Sequence, residues 1–395
     1  MSQITIRTLK LEDAAPIFSW ALGYAFTPSP PVHKPEEFLD RFKPAGEHNK
    51  YMAVFDGETA VATAGAGQMT QNVRGALVDS VGIFMVTTHP AHRRKGYSFQ
   101  LLRELFKQFR DEGHGVSTLY PFRESFYERL GYINWPAPLI AEINHRALAP
   151  LIGSSNEATL ELTEFIERPE AYFDFLKQCQ QHIHGMALFK QPLPPDPERH
   201  KYWLLTADID GRPDGIMLYT MSGDGPVQLK LDASRFYTLS PASRYAFLGW
   251  IGRHVDQANQ ISITLPPFEQ PHTWFSDLEI KLSARRMAPM GRVLDVEKLN
   301  GLPAGDGQFS AEIIDPVCPW NQGAWSFTGQ GGQLKVEKAA SAAFTLGIQG
   351  LSALVFGTLP PEAYAYRQWG QIPAEVCQQM NAIFPPATPH LHEYF

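Results

Sequence analysis

Val81-Gly82-Ile83-Phe84-Met85-Val86-Thr87-Thr88-His89-Pro90-Ala91-His92-Arg93-Arg94-Lys95-Gly96-Tyr97-Ser98 runs from an apolar segment into a basic, glycine-containing turn. Val81 to Val86 is rich in branched and aromatic residues and reads as a strand. Beyond the turn, Phe99 to Phe109 reads as an amphipathic helix, because Leu101, Leu102, Leu105, Phe106 and Phe109 recur at helical spacing. Glu112-Gly113 stops it, with glycine in a C-cap position. The first turn of a helix carries unbonded N–H groups, and the macrodipole adds roughly half a positive charge there. A basic turn opening a helix is therefore an anion site: Gly96 lets the backbone approach a pyrophosphate, while Arg93, Arg94 and Lys95 add charge. The same residues also read as a solvated basic turn with no ligand. The spacing lacks the Walker frame, which excludes a P-loop, and it lacks the glycine pattern of a dinucleotide fold.

The rest of the composition narrows the class. At 395 residues the chain exceeds one ordinary core, and at roughly 150 residues per domain it should hold two or three. No run of about 18 apolar residues occurs, so no transmembrane helix and no membrane partner are expected. Met1 to Arg7 has no basic flank followed by an apolar stretch, so no secretory leader is expected. A net charge of −7 speaks against a general nucleic-acid partner and suits a basic or amine substrate. Cys179, Cys318 and Cys377 lie far apart and none belongs to a CxxC pair. Buried reduced thiols are expected, not a disulfide framework or a thiolate zinc site. His182/His184 and His390/His392 lack the carboxylate or cysteine set that would complete a metal site, so no metal is expected.

Outward from the basic turn, three stretches differ in character. The first opens with the alternating Ile4 to Arg7 strand, a helix capped by Asp13, and a Pro- and His-rich loop with a short helix from Phe26 to Lys50. Tyr51 to Phe55 and Thr59 to Ala64 flank Asp56-Gly57 and read as a hairpin. The second stretch holds another hairpin around Asp210-Gly211, a helix opened by Ser240-Pro241, and the strand Ile261 to Leu265. That order is related to the first stretch, although no residue-level repeat is visible. The third carries strands at Phe309 to Asp315, Gly323 to Phe327 and Lys335 to Lys338, then helical segments at Ala342 to Ile348 and Leu351 to Phe356. An extended tail follows from Pro385 to Phe395.

The order strand, Pro90, Arg93-x-x-Gly96-x-Ser98, amphipathic helix resembles the acetyl-coenzyme A motif of GNAT acetyltransferases. The family's usual form is Gln/Arg-x-x-Gly-x-Gly/Ala, so Ser98 departs from it while remaining small. Phe126-Tyr127-Glu128-Arg129-Leu130-Gly131-Tyr132 matches the family's FYxxxGF/Y segment. The whole chain resembles the Eis (enhanced intracellular survival) branch of that superfamily. The likeness lies in its length, these two motifs, Tyr202-Trp203, Gly215 to Tyr219 and an aromatic last residue. The resemblance implies an α/β (α+β) class with two GNAT-like mixed-sheet domains. A catalytic one spans 1–146 and a degenerate one 147–286, followed by a sterol-carrier-protein-like α+β domain over 287–395. It also implies a homo-oligomer, hexamer or trimer, in the cytoplasm.

The resemblance further implies acetyl-CoA as co-substrate and one coenzyme site, since the central stretch has no Arg-x-x-Gly after a strand. The pyrophosphate would lie on Arg93, Arg94, Lys95, Gly96, Tyr97 and Ser98. The pantetheine arm would follow the strand end at Met85, Val86 and Thr88, provided the strand splays from its neighbour. Tyr127 is the candidate general acid, because a phenol with a pKa near 10 is protonated at neutral pH and can donate to a leaving thiolate; it also reads as a space-filling aromatic. In the Eis-like group the terminal carboxylate reaches the active site, which makes Phe395 the candidate base, whereas an ordinary terminus frays. Trp20, Phe26 and Phe84, with Glu36, Glu37 and Asp40, are acceptor-pocket candidates, although such aromatics also serve as core. The function expected is N-acetylation of a primary amine of polyamine, aminoglycoside or lysine type, by direct transfer through a tetrahedral intermediate. An N-myristoyltransferase-like enzyme is the other enzymatic reading. A lipid- or small-molecule-binding protein, working through the third stretch with a vestigial GNAT site, is the alternative from another class.

Overall fold

Alternating apolar residues and short turns build the first sheet of the chain, whose computed structural model describes residues 4–9, 24–26, 48–152 and 157–395. In chain order come β1 (Ile4–Thr8), β2 (Asn49–Asp56), β3 (Thr59–Val73) and β4 (Ala76–Thr88). The Asp56-Gly57 turn closes the β2–β3 hairpin, with Gly57 at φ 63°. Helix α1 (Tyr97–Asp111) then crosses over to β5 (Val116–Leu119), which pairs parallel to β4. It buries Leu101, Leu102, Leu105, Phe106 and Phe109, the stripe that its spacing predicts. The helix stops as expected: Gly113 at φ 97° donates to the Arg110 carbonyl, and the His114 amide donates to that of Phe109. Helix α2 (Glu124–Glu128) and β6 (Ile133–Asn134) follow.

The chain gathers into two compact units. One comprises Met1–Trp135, Ile183–Leu193 and Ala288–Phe395; the other comprises Pro136–His182 and Pro194–Met287. The second unit holds β7 (Leu139–Ile143), β8 (Thr159–Glu164) and α3 (Pro169–His182). The chain then returns to the first unit for β9 (Ala187–Phe189), which pairs with Met69–Gln71 of β3 just beyond the point where β2 ends. Back in the second unit are β10 (Trp203–Ile209), β11 (Arg212–Ser222), β12 (Leu229–Thr238), α4 (Pro241–Gly252), β13 (Ala258–Leu265) and β14 (Lys281–Ala284). Their sheet runs β14-β7-β13-β12-β11-β10-β8. The parallel β12–α4–β13 crossover repeats the design of β4–α1–β5. Its helix opens on Ser240-Pro241 with no glycine-containing basic turn, and the Ser240 hydroxyl bonds the Asp214 carboxylate rather than a helix amide.

The final stretch belongs to the first unit. Strand β15 (Met290–Val293) inserts between β5 and β6, giving the order β1-β2-β3-β4-β5-β15-β6. A second sheet in this unit holds β16 (Gly307–Ile314), β17 (Gly323–Gln330), β18 (Gln333–Lys338) and β19 (Phe344–Gly347), followed by α5 (Ile348–Phe356) and α6 (Ala374–Ile383). Here the expected helix over Ala342 to Ile348 is corrected. Phe344 to Gly347 form a strand parallel to β16, and the helix begins only at Ile348. An aromatic and a β-branched residue favour the pleated edge, and Gly347 at ψ 148° breaks any helical run into α5. The cysteines are free and buried. No helix among the described residues is long and apolar enough to cross a membrane.

Candidate active site

The basic turn is shaped for an anion. Gly96 caps α1 at φ 80°, a left-handed conformation that glycine adopts without strain, and Arg94 shares it at φ 63°. The first intrahelical bond runs from the Gln100 amide to the Gly96 carbonyl at 3.1 Å, so the amides of Tyr97, Ser98 and Phe99 precede the ladder. No side chain caps this end and no acid sits in its first turn. Arg93, Arg94, Lys95 and Gly96 are exposed, and nothing lies within 4 Å of where a Gly96 Cβ would stand. Open amides, an open approach and three cationic side chains suit a pyrophosphate.

Ser98, the departure from the usual family pattern, has a local role. Its hydroxyl shares a hydrogen bond at 2.8 Å with that of Thr88 and so ties the end of β4 to the start of α1. The Arg93 Nε also donates to the Thr88 carbonyl at 3.3 Å. The strand end is itself irregular. Thr63 pairs with Thr87 and Gly65 with Phe84, so Met85 and Val86 together oppose Ala64 in a bulge. Met85 lies at φ 52°, and its carbonyl accepts a bond from the Thr63 hydroxyl at 3.2 Å. Thr88 and Ser98 are both expected site residues, but nothing local in the sequence marks their mutual bond or the part played by Thr63.

The pairing of β4 with β5 ends just before this bulge. Their pairing covers Ser80–Ile83 against Val116–Leu119 and stops there, while β4 continues along β3 to Thr88. Because β5 itself ends at Leu119, the β4 edge beyond Ile83 has no β5 partner on that side. Phe395 sits beside this edge on one face. Its ring lies 5.2 Å from that of Phe189, 6.2 Å from Tyr120 and 6.3 Å from Phe84, and a Cβ on Gly82 would stand 2.9 Å from its Cζ. Tyr394 packs on Tyr120 at 4.7 Å. His390, Leu391 and His392 are buried, so the tail is docked rather than frayed.

Tyr127 belongs to the opposite face. It is 3% exposed, in the same cluster as Val81, Ile83, Val86, Tyr97 and the buried stripe of α1. Gly82 and Phe84 alternate with Val81 and Ile83 along β4, which puts Phe395 on the face away from α1. Phe122, Phe126 and Tyr132 surround the Tyr127 ring at 5.4, 4.9 and 6.0 Å. Burial pushes its phenol well above the usual tyrosine range, so the hydroxyl stays protonated. The turn after α2 is fixed from below by Arg292 of β15. Arg292 bonds the Leu130 carbonyl, donates to that of Val293 at 3.0 Å, and pairs with Asp315 at 2.6 Å, both side chains being fully buried.

Phe84 is half-buried against Tyr51, and Phe26 is 56% exposed. Trp20, Glu36, Glu37, Asp40 and the helix assigned to Asp13 lie outside the described residues. A separate cleft of about 660 Å³ runs along the outward face of α1, lined by Arg7, Gln100, Arg103, Lys107 and Trp320 among others. None of the expected site residues lines it.

Residues 5–133 match the acetyltransferase (GNAT) domain family. This segment is an acetyltransferase (GNAT) domain. Residues 296–392 of the same chain match the sterol carrier protein domain family. An uncharacterized N-acetyltransferase of Streptomyces avermitilis is 24% identical over 345 residues, covering 79% of this chain and 80% of that protein. A conserved protein of unknown function from Enterococcus faecalis, described as a probable N-acyltransferase, superposes with a TM-score of 0.85 at 19% identity over 100% of both chains. Eis1 of Mycobacterium abscessus superposes with a TM-score of 0.77 at 17% identity, over 99% of this chain and 100% of its own. The Eis-type fold, with a GNAT domain at one end and a sterol carrier protein domain at the other, is thus present here. GNAT acetyltransferases use acetyl-CoA, and their fold implies an amine acceptor.

Proposed function

We propose that this GNAT protein transfers the acetyl group of acetyl-CoA to a primary amine of polyamine, aminoglycoside or lysine type. The observation that carries the reading is the β4 edge left without a β5 partner after Ile83–Leu119, together with the open helix start of α1 and the docked Phe395. The amides from Arg94 to Ser98 hold the pyrophosphate, with Arg93 and Lys95 adding charge. The edge of β4 at Met85, Val86 and Thr88 receives the pantetheine arm, and an amide there stabilises the oxyanion of a tetrahedral intermediate. Phe84 lines the acceptor side, and Trp20 and Phe26 are proposed to do the same.

Acyl transfer to an alkylammonium needs its proton removed before attack, because the group's pKa is about 10. We assign that step to the α-carboxylate of Phe395. The amine nitrogen then bonds the thioester carbon, the carbon–sulfur bond breaks and the thiolate takes the proton of Tyr127, while the second proton shed by the acylated nitrogen passes through solvent to restore the phenol. Base and acid come from opposite faces of the sheet, which keeps the entering amine and the leaving thiol apart. The division into a catalytic domain (1–146), a central GNAT-like domain (147–286) and a sterol-carrier-like domain (287–395), together with homo-oligomerisation, belongs to the same proposal.

The test is acetyl-CoA consumption with thiol release across polyamines, aminoglycosides and lysine peptides, for the natural chain and for Tyr127→Phe. Positioned acids contribute about 10²–10⁴-fold, so turnover should fall by that factor in the variant. Full turnover in Tyr127→Phe removes the acid role. One glycine added after Phe395 should abolish turnover if the carboxylate is the base.

A further inference from the structure

The path of the last eleven residues is set by two side chains far from them in sequence. Arg74 lies in the tight β3–β4 turn, at φ 58°. Its guanidinium reaches the C-terminal end of α5, donating from Nη2 to the Leu354 carbonyl at 2.9 Å and from Nε to that of Val355 at 2.7 Å. The third arm, Nη1, donates to the Pro385 carbonyl at 2.6 Å, at the start of the tail. One side chain therefore caps a helix and holds the tail against it.

His184 completes the arrangement. Its Nδ1 accepts the Arg74 amide at 3.0 Å, and its Nε2 donates to the Phe356 carbonyl at 3.1 Å. Its own carbonyl accepts the His390 amide at 2.9 Å. Beside it, Gly185 at φ 84° lies so close to the tail that a Cβ would stand 2.7 Å from Pro389. Further along, the Ala387 amide donates to the Gly357 carbonyl at 3.2 Å, and the Tyr120 hydroxyl to that of Leu391 at 3.4 Å. The tail is thus held at Pro385, Ala387, His390 and Leu391, four residues short of Phe395.

We infer that Arg74 and His184 form a clamp that fixes the course of Pro385–Phe395 and so places Phe395 beside the β4 edge that has no β5 partner. Both are positioning residues for acetyl transfer and act through the tail. This rests on the reading of Phe395 as proton acceptor given above. A clamp of this kind affects a step that needs the last residue in register and leaves the coenzyme loop untouched, since none of its bonds involves residues 93–98.

The test is a double-mutant cycle between Arg74→Ala and deletion of Phe395. Misplacing a catalytic group by about 1 Å costs up to 10²-fold, so R74A should lower kcat by about 10- to 100-fold. KM for acetyl-CoA should stay unchanged. In the chain lacking Phe395, R74A should add no further loss. His184→Gln keeps an amide donor for Phe356 and should restore most of what His184→Ala loses. An equal kcat loss from R74A in both backgrounds overturns the clamp. Unchanged kcat on deleting Phe395 overturns the proton-acceptor reading instead.

A second measurement does not depend on turnover. Carboxypeptidase release of Phe395 and Tyr394 from the folded protein should be slow in the natural chain and about tenfold faster in R74A, because release follows local opening. Equal release rates overturn the clamp whatever Phe395 does in catalysis.

Discussion

Replacing Arg292 by methionine tests the buried bridge beneath the Tyr127 turn. Both Arg292 and Asp315 are fully buried and lie 2.6 Å apart. In R292M the Leu130 and Val293 carbonyls and Oδ2 of Asp315 each lose one donor. Asp315 is not left bare: the amides of Val317 and Cys318 donate to it at 3.2 and 3.0 Å, and the Asn321 side chain at 2.9 Å. Removing one partner of a buried pair costs about 3–5 kcal/mol, because the other charge stays in the core. With three donors retained the lower end applies, about 3 kcal/mol. For a unit of this size each kcal/mol moves Tm by about 2 °C, so the melt should shift by about 6 °C. Guanidinium denaturation and calorimetry read both numbers. R292M/D315N neutralises the site while keeping an acceptor for the Val317 and Cys318 amides, and it should recover much of the loss. A cost under about 1 kcal/mol, or a double variant weaker than the single one, would refute the argument that an unpaired charge sets the penalty.

Three further outcomes follow from the geometry. Gly82→Ala places a Cβ 2.8 Å from Met69 Sδ and 2.9 Å from the Phe395 ring, so the ring should be displaced and turnover should fall at least about tenfold; steady-state kinetics showing no change would detach Phe395 from the reaction. Gly96→Ala meets no neighbour but must hold φ 80°, which costs about 1–2 kcal/mol; acetyl-CoA affinity by calorimetry should weaken, and equal affinity would argue against a loop pre-set for pyrophosphate. Burial and the nearby Arg74 lower the His184 pKa to about 4, against about 6.5 unfolded. The unfolded chain therefore binds this proton first as pH falls, and stability present above about 6.5 is lost progressively down to about 4, by about 3 kcal/mol in all. Urea melts across that range should show the slope in the natural chain and a shallower one in His184→Gln; identical slopes would refute the assignment.

What the sequence disclosed was local. Arg93 to Ser98, the stripe from Leu101 to Phe109 and the hairpin at Asp56-Gly57 each carry their signal within one turn or one helix, and each folds as read. The strand at Phe344 to Gly347 was hidden because its partner, Ala311 to Ile314, lies some thirty residues upstream and only the parallel pairing makes it a strand. The same reason concealed β9 and β15: strands of three or four residues are too short to show a periodicity, and their partners are distant. Arg74 and His184 look like ordinary surface residues in the sequence, since their acceptors lie at positions 354–356 and 385. Ser98 looked like a deviation until Thr88 supplied its partner.

The insertion of β15 between β5 and β6 bears on how the protein is made. Residues 290–293 supply the next-to-last strand of a sheet whose other strands are all synthesised before residue 190. On the ribosome the catalytic half must wait, with the inner edges of β5 and β6 unsatisfied, while another hundred residues emerge. Long-range pairings of this kind form late and leave sticky edges exposed meanwhile. The intervening unit, whose own sheet draws only on residues 139–284, is free to fold first, and a nascent chain stalled before residue 290 should be a client for chaperones rather than an early enzyme.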